Sequence, residues 1–214
     1  MVMNYYGGEI MTKKVLRNLE YFEILDEENK AVYKGCSQVW YKKKWRKMAG
    51  CGPTAASNIV IYSNKNKINK RSALKIMDEL WNYVTPTLMG VNTTEIFYDG
   101  FMKYAAENSR KALFKVLDIP KEKELRPSYE MVFDFIESSL DNDIPIAFLN
   151  LCNGEEKCLD KWHWVTIISL EYEVDKHSAA VEILDEGMVK KISLPLWYET
   201  TTLGGGLVSF FLGL

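Results

Sequence analysis

Apolar residues recur at three- and four-residue steps along the first two thirds of the chain and in short, nearly continuous runs along the last third. That change of period, near Asp143, predicts helices before it and strands after it. From Gly52 to Tyr62, the positions Ala55, Ala56, Ile59, Val60 and Tyr62 form the stripe of a buried helix, with Pro53 in the first turn, where proline is tolerated. Leu74, Met77, Leu80, Trp81 and Val84 predict a second helix over 70–84. Phe97, Phe101, Tyr104 and Ala105 predict a third over 93–107, and Val132, Phe135, Ile136 and Leu140 another over 128–142. VTPTLMG reads as a loop, ALFKVLDI (112–119) as a strand, and 17–34 as a hairpin or two extended pieces on either side of the polar DEEN. After Asp143, IPIAFLNL, WHWVTIISLEY, AVEILDE, MVKKISL and GLVSFFLGL are β-rich runs between polar and glycine clusters.

Helices followed by strands predict an α+β fold with an antiparallel sheet. With no internal repeat or long linker, the expectation is a single domain over 1–214. Its parts are an extended or hairpin segment over 1–34, a mostly helical part over 35–142 and a mostly β part over 143–214. A chain of 214 residues, 47% apolar and 26% charged, can bury a core without cross-links and is unlike a disordered or coiled-coil chain. The net charge of -2 supplies no global field for nucleic acid or an anionic membrane. MVMNYYGGEIMTKKVL lacks the positive start and unbroken apolar core of a secretory signal, and no apolar run approaches a membrane span. The expected setting is cytoplasmic, with neither nucleic acid nor membrane as partner.

The four cysteines, at 36, 51, 152 and 158, are expected to be free thiols, because a chain this long needs no disulfide and none of their spacings suits a zinc knuckle. Cys51 stands apart. It lies between Gly50 and Gly52, ahead of Pro53 and directly at the head of the small-residue helix. A free thiol, with a pKa of about 8.5, needs help to ionise near neutrality. Unpaired N–H groups in a helix's first turn and a neighbouring imidazolium are the two ordinary sources of that help. Of two histidines, His177 sits in the polar turn VDKHSA, whereas His163 starts the most apolar strand between Trp162 and Trp164, which would hold and shield its ring. Asp185 lies 22 positions after His163, enough for a strand, a turn and a return along the neighbouring strand. It could orient the imidazole, or simply begin the turn D-E-G. Gln38 is the candidate side-chain donor to an oxyanion, beside the backbone N–H of Cys51.

Together QVWY, Trp45, GCGPTA at 50–55, HWVT at 163–166 and ILDEG at 183–187 resemble papain-like cysteine peptidases of the bacterial double-glycine-leader-peptidase-like branch. The resemblance spans about residues 35–190 and keeps the order Gln, Cys, His, Asp. It implies a papain-like α+β fold with the nucleophile at the head of a central helix. It also implies Cys51 as nucleophile, His163 as base, Asp185 as its orienting group and Gln38 as oxyanion donor. The expected activity is cleavage of a peptide or other amide through a thioester acyl-enzyme, without a metal or organic cofactor. Acyl transfer to an amine, or a papain-like binding protein without turnover, stands as the alternative.

Other features read more plainly. Cys36, Cys152 and Cys158 are expected to be structural. KKKWRK at 42–47 could bind phosphate, but reads as a solvated basic loop that biases which substrates approach. GGG at 204–206 reads as a flexible turn, since no Lys-Ser/Thr follows it. Trp81, Tyr83, Tyr98, Phe101 and Tyr104 have helical spacing and are expected to be mostly core.

Overall fold

The computed structural model describes residues 2–6, 9–26, 28, 30–174 and 176–213. The chain begins with β1 (Val2–Tyr6) and β2 (Glu9–Val15), then forms β3 (Glu23–Leu25) and β4 (Val32–Lys34). Helices α1 (Lys44–Ala49) and α2 (Cys51–Ser63) follow, then β5 (Ile68–Asn69), α3 (Lys70–Leu80) and α4 (Thr94–Glu107). Next come β6 (Ala112–Ile119), α5 (Tyr129–Asp141), β7 (Ile146–Asn150), β8 (His163–Tyr172), β9 (Ala180–Asp185) and β10 (Met188–Ser193). Helix α6 (Leu194–Thr200) and β11 (Gly205–Leu212) close the chain.

The fold is α+β. Eight strands form one antiparallel sheet around β8, whose first half pairs with β7 and second half with β2, while β9 covers its other edge. From β7 the sheet continues through β11 to β6, and from β9 to β10. The part of the chain before Asp143 thus supplies β1, β2 and β6 to the main sheet. The hairpin expected over 17–34 is β3 with β4, in a small second sheet that β5 joins in parallel.

Strand alternation explains the layers. In β7, Ile146 and Phe148 pack with α5 and α6, through Val132, Phe133, Ile136 and Trp197, while Ala147 and Leu149 face α2 and α4. Trp164 and Val165 divide between the same two sides. A strand buried on both faces reads as a continuous apolar run, which is why IPIAFLNL shows no alternation. Helix α2 is buried from Cys51 through Tyr62, between the sheet and a third cluster that holds Tyr41, Ile61, Met77 and Trp81. Its small residues permit that depth. A Cβ on Gly52 would come within 2.7 Å of Val91.

Several expectations change. KKKWRK is no loop, because Lys44–Ala49 form α1. Its Trp45, Met48 and Ala49 share one face, a pattern too short to register as a period. The second helix ends at Leu80 and continues only as turns through Val84. GGG is a site of close backbone approach, not a loose turn. Gly205 and Gly206 lie in β11, and a Cβ on Gly205 would fall 1.9 Å from the Leu149 carbonyl oxygen. Of the five aromatics, Trp81, Phe101 and Tyr104 are buried, and Tyr83 and Tyr98 only partly. Phe135, expected on the buried stripe of α5, is partly exposed, and Phe133 is buried in its place.

Candidate active site

Cys51 is the first residue of α2 and His163 the first residue of β8. Gly50 joins α1 to α2 with hardly any linker, and no other residue would fit. A Cβ there would lie 2.4 Å from the Arg46 carbonyl oxygen and 2.7 Å from the Tyr41 ring. The tight junction places the Cys51 sulfur at the helix's N-terminal N–H groups, where negative charge is favoured.

His163 and Cys51 line the same crevice, and the thiol favours the charged form of the ring. The ring's Nε2 donates to Asp185 Oδ1 at 2.7 Å. Asp185 comes to the ring because β9 pairs with β8, Leu184 opposite Thr166. It also begins the tight turn to β10, so both readings of D-E-G hold structurally. Glu186 and Gly187 take positive φ of 48° and 75°, as a two-residue hairpin loop requires.

That hairpin brings in Lys190, which the sequence did not single out. Its Nζ donates to Asp185 Oδ2 at 2.6 Å. With Met188 opposite Asp185, Lys190 is the diagonal neighbour on the same face. The signal was available as Asp-Glu-Gly followed by a lysine three positions after the glycine.

Burial of the His163 ring opposes its charge, but the hydrogen bond to Asp185 and the charges of Asp185 and Cys51 overcome it and push the imidazolium's pKa up to about 10. Burial likewise opposes the Asp185 carboxylate, while His163 and then Lys190 hold it below the usual range. The charged ring is therefore favoured near neutrality, and Asp185 fixes its orientation at Nε2.

Gln38 opens a short turn, Gln38–Trp40, capped by Ser37. The segment is tied to the Asp185 turn by Gly187 N–H to the Cys36 carbonyl, Lys34 N–H to the Gly187 carbonyl and the Ser37 hydroxyl to Glu186. The structure thereby brings Gln38, Cys51, His163 and Asp185 around one crevice. Gln38 Oε1 is buried with no hydrogen-bond partner among the described residues. His177 lies in the turn after β8 and is not among the residues lining the crevice.

The crevice holds only about 10 Å³ of free space. Room for a ligand lies next to it, in a cleft of about 340 Å³ that shares Cys51 and is lined by Trp45, Met48, Leu88, Met89 and Trp162. The VTPTLMG loop forms one wall, anchored where Trp164 Nε1 donates to the Val91 carbonyl at 2.6 Å. Trp162 has φ of 54°, which a bulky side chain rarely adopts, and this strain sits beside His163.

Two other thiols need separate accounts. Burial raises the pKa of Cys36. Cys152 differs from its expectation: hydrogen bonds from the Thr202 hydroxyl and backbone, then from Gly154, bring it down to about 7. All four cysteines are free.

Asp160, His163 and Asp185 place ligand atoms within 4.8 Å of one another, close enough to consider a metal. Asp185 already serves His163 through one oxygen and Lys190 through the other, so a divalent ion would have to displace the Lys190 ammonium. The set is better described as an ion-pair network. Among the described residues, no helix is long and apolar enough to cross a membrane.

The sequence matches no known protein family and no curated protein. Among solved structures, UfSP from C. elegans aligns with 96% of this chain at a TM-score of 0.49 and 12% identity. The chain spans about a third of that protein's length, the alignment covering 35% of it.

Proposed function

We propose that the protein is a papain-like thiol hydrolase, a peptidase that cleaves an amide bond through an acyl-enzyme on Cys51. The observation that carries this is the gathering of Cys51, His163 and Asp185 around one crevice, with the imidazole on the carboxylate at 2.7 Å. The sulfur attacks the amide carbonyl carbon, and the oxyanion takes hydrogen bonds from the Cys51 N–H and the Gln38 amide. The His163 imidazolium gives its proton to the departing amine. Neutral His163 then takes a proton from water, whose oxygen attacks the thioester and releases the acid and the thiol. Asp185 keeps the ring in the required tautomer, and Lys190 keeps Asp185 ionised. The apolar cleft beside Cys51 would hold an apolar part of the peptide.

Limiting iodoacetamide near pH 6, with sites mapped by mass, tests the central pair. Cys51 should react rapidly in the native protein, and His163→Ala should slow it by about 10²-fold or more. Cys152 is the internal reference: its reactivity derives from Thr202 and should not change in His163→Ala. Equal labelling of Cys51 in both proteins would overturn the hydrolase and favour a binding protein on the same scaffold. With a cleavable amide, product formed chiefly on an added amine instead of water would convert the assignment to acyl transfer.

A further inference from the structure

Helix α1 divides two clefts. Its Trp45, Met48 and Ala49 line the apolar cleft of Cys51, and Lys43 and Arg46 face a second cleft of about 700 Å³. Opposite them stand Arg71 and Lys75, one turn apart on α3, with Lys42 beside Lys43. Five cations thus face one carboxylate, Asp78, in a chain whose net charge is -2. Asp78 is already engaged by Arg46 at 2.6 Å, and the Arg46 guanidinium also lies over the Trp81 ring at 4.8 Å. Lys42, Lys43, Arg71 and Lys75 have no carboxylate within ion-pair distance among the described residues. Gathering like charges without counter-charges works against the folded state, and an anionic ligand reverses that.

We propose that this basic cleft binds an acidic segment of the polypeptide substrate, a few residues from the bond Cys51 attacks; the assignment of substrate rests on the peptidase reading. Two features favour a row of carboxylates over a single phosphate. The unengaged cations are mostly lysines, point charges spread along an open cleft, whereas tight phosphate sites converge arginine forks or backbone N–H groups on one spot. The two clefts also flank the same short helix. A helix is about 10 Å across, a width an extended chain crosses in about three residues at about 3.3 Å each. A peptide lying over Trp45 can therefore reach Lys43 without a turn.

Fluorescence anisotropy of labelled hexaglutamate, hexaserine and hexathymidylate on the intact protein tests the cleft. Hexaglutamate should bind at about 50 mM salt and weaken at about 300 mM, as for charges at the surface. Lys42→Glu with Lys75→Glu, both exposed positions, should weaken it by at least about tenfold, while hexaserine should bind neither protein. Equal hexaglutamate binding by both proteins would overturn the proposal. So would tighter binding of hexathymidylate, which would make the cleft a nucleic-acid site, or full displacement by millimolar inorganic phosphate. Iodoacetamide labelling of the same preparations separates the two readings. Lost peptide specificity with His163-dependent labelling intact sinks the cleft alone, and specific binding with His163-independent labelling sinks the peptidase alone.

Discussion

Helix α1 presents Trp45, Met48 and Ala49 towards Cys51 and Arg46 the other way, with Lys43 just before it on that same side, so its two sides meet two differently built regions. Behind the first, Cys51, His163 and Asp185 are buried, and the two carboxylate oxygens of Asp185 each have one assigned partner, His163 and Lys190. Across the second, Lys42, Lys43, Arg71 and Lys75 are exposed, with no carboxylate at ion-pair distance among the described residues. A buried network fails when one member is removed, because the charge left behind is stranded away from water. An exposed cluster is screened, and its members act by their sum. The same six-residue helix therefore borders a region that should respond steeply to one atom and another that should respond gradually to net charge.

Asp185→Asn should give the largest break. The carboxylate holds both the His163 ring and the Lys190 ammonium. Without it, the loss measured by urea unfolding should be about 3 kcal/mol or more, the cost of breaking a buried pair on one side. The proton should move as well. His163 is raised to about 10 against an ordinary 6.5, so its contribution to stability is complete below about pH 6.5 and is lost as pH rises through about 10. Removing the carboxylate takes away a raising influence, so the imidazole should titrate at lower pH. With two histidines in the chain, a ring-proton NMR titration can assign that midpoint cleanly. An unmoved midpoint would show that Asp185 does not govern the ring.

The same contrast explains what could be seen from the sequence. The α2 stripe and the runs of β7 and β8 were legible because burial imposes a period or a continuous apolar run. GCGPTA and the histidine between two tryptophans were legible because a reactive thiol needs an unusual local setting. Lys190 was hidden because its importance lies in hairpin register, which brings a distant-looking lysine diagonally onto Asp185. Helix α1 was hidden because six residues, five of them charged or exposed apolar, are too few to set a hydrophobic period. The apolar cleft draws on α1, the Leu88–Asn92 loop, β7 and Trp162, and the basic cleft on α1 and α3. No single window contains either of them.

Lys190→Met should have a smaller effect with a definite sign. Lys190 is the second of the two partners holding Asp185 below the carboxylate range, after His163. A depressed carboxylate contributes stability that is present above its unfolded pKa, about 3.9, and lost as pH falls through the folded value. Without the ammonium the folded value rises, so acid unfolding should begin at higher pH than in the native protein, while stability near neutrality falls by about 1 kcal/mol. Acid unfolding followed by circular dichroism measures both. An unchanged acid midpoint would mean that His163 alone holds the carboxylate.

The smallest effect is expected across α1, and it should be small in one observable only. Lys42→Gln and Lys75→Gln alter exposed positions with no carboxylate partner among the described residues, so unfolding stability should change by no more than about 0.5 kcal/mol. Any change should be towards greater stability, because removing a like charge relieves repulsion. Each substitution alone should weaken hexaglutamate by a similar factor, and the double variant should show the product of the two, as expected of screened charges that act by their sum. A steep loss from either one, with nothing further from the second, would mean that this region too is a discrete site with assigned partners. The difference between the two sides of α1 would then lie in exposure and no longer in how they are built.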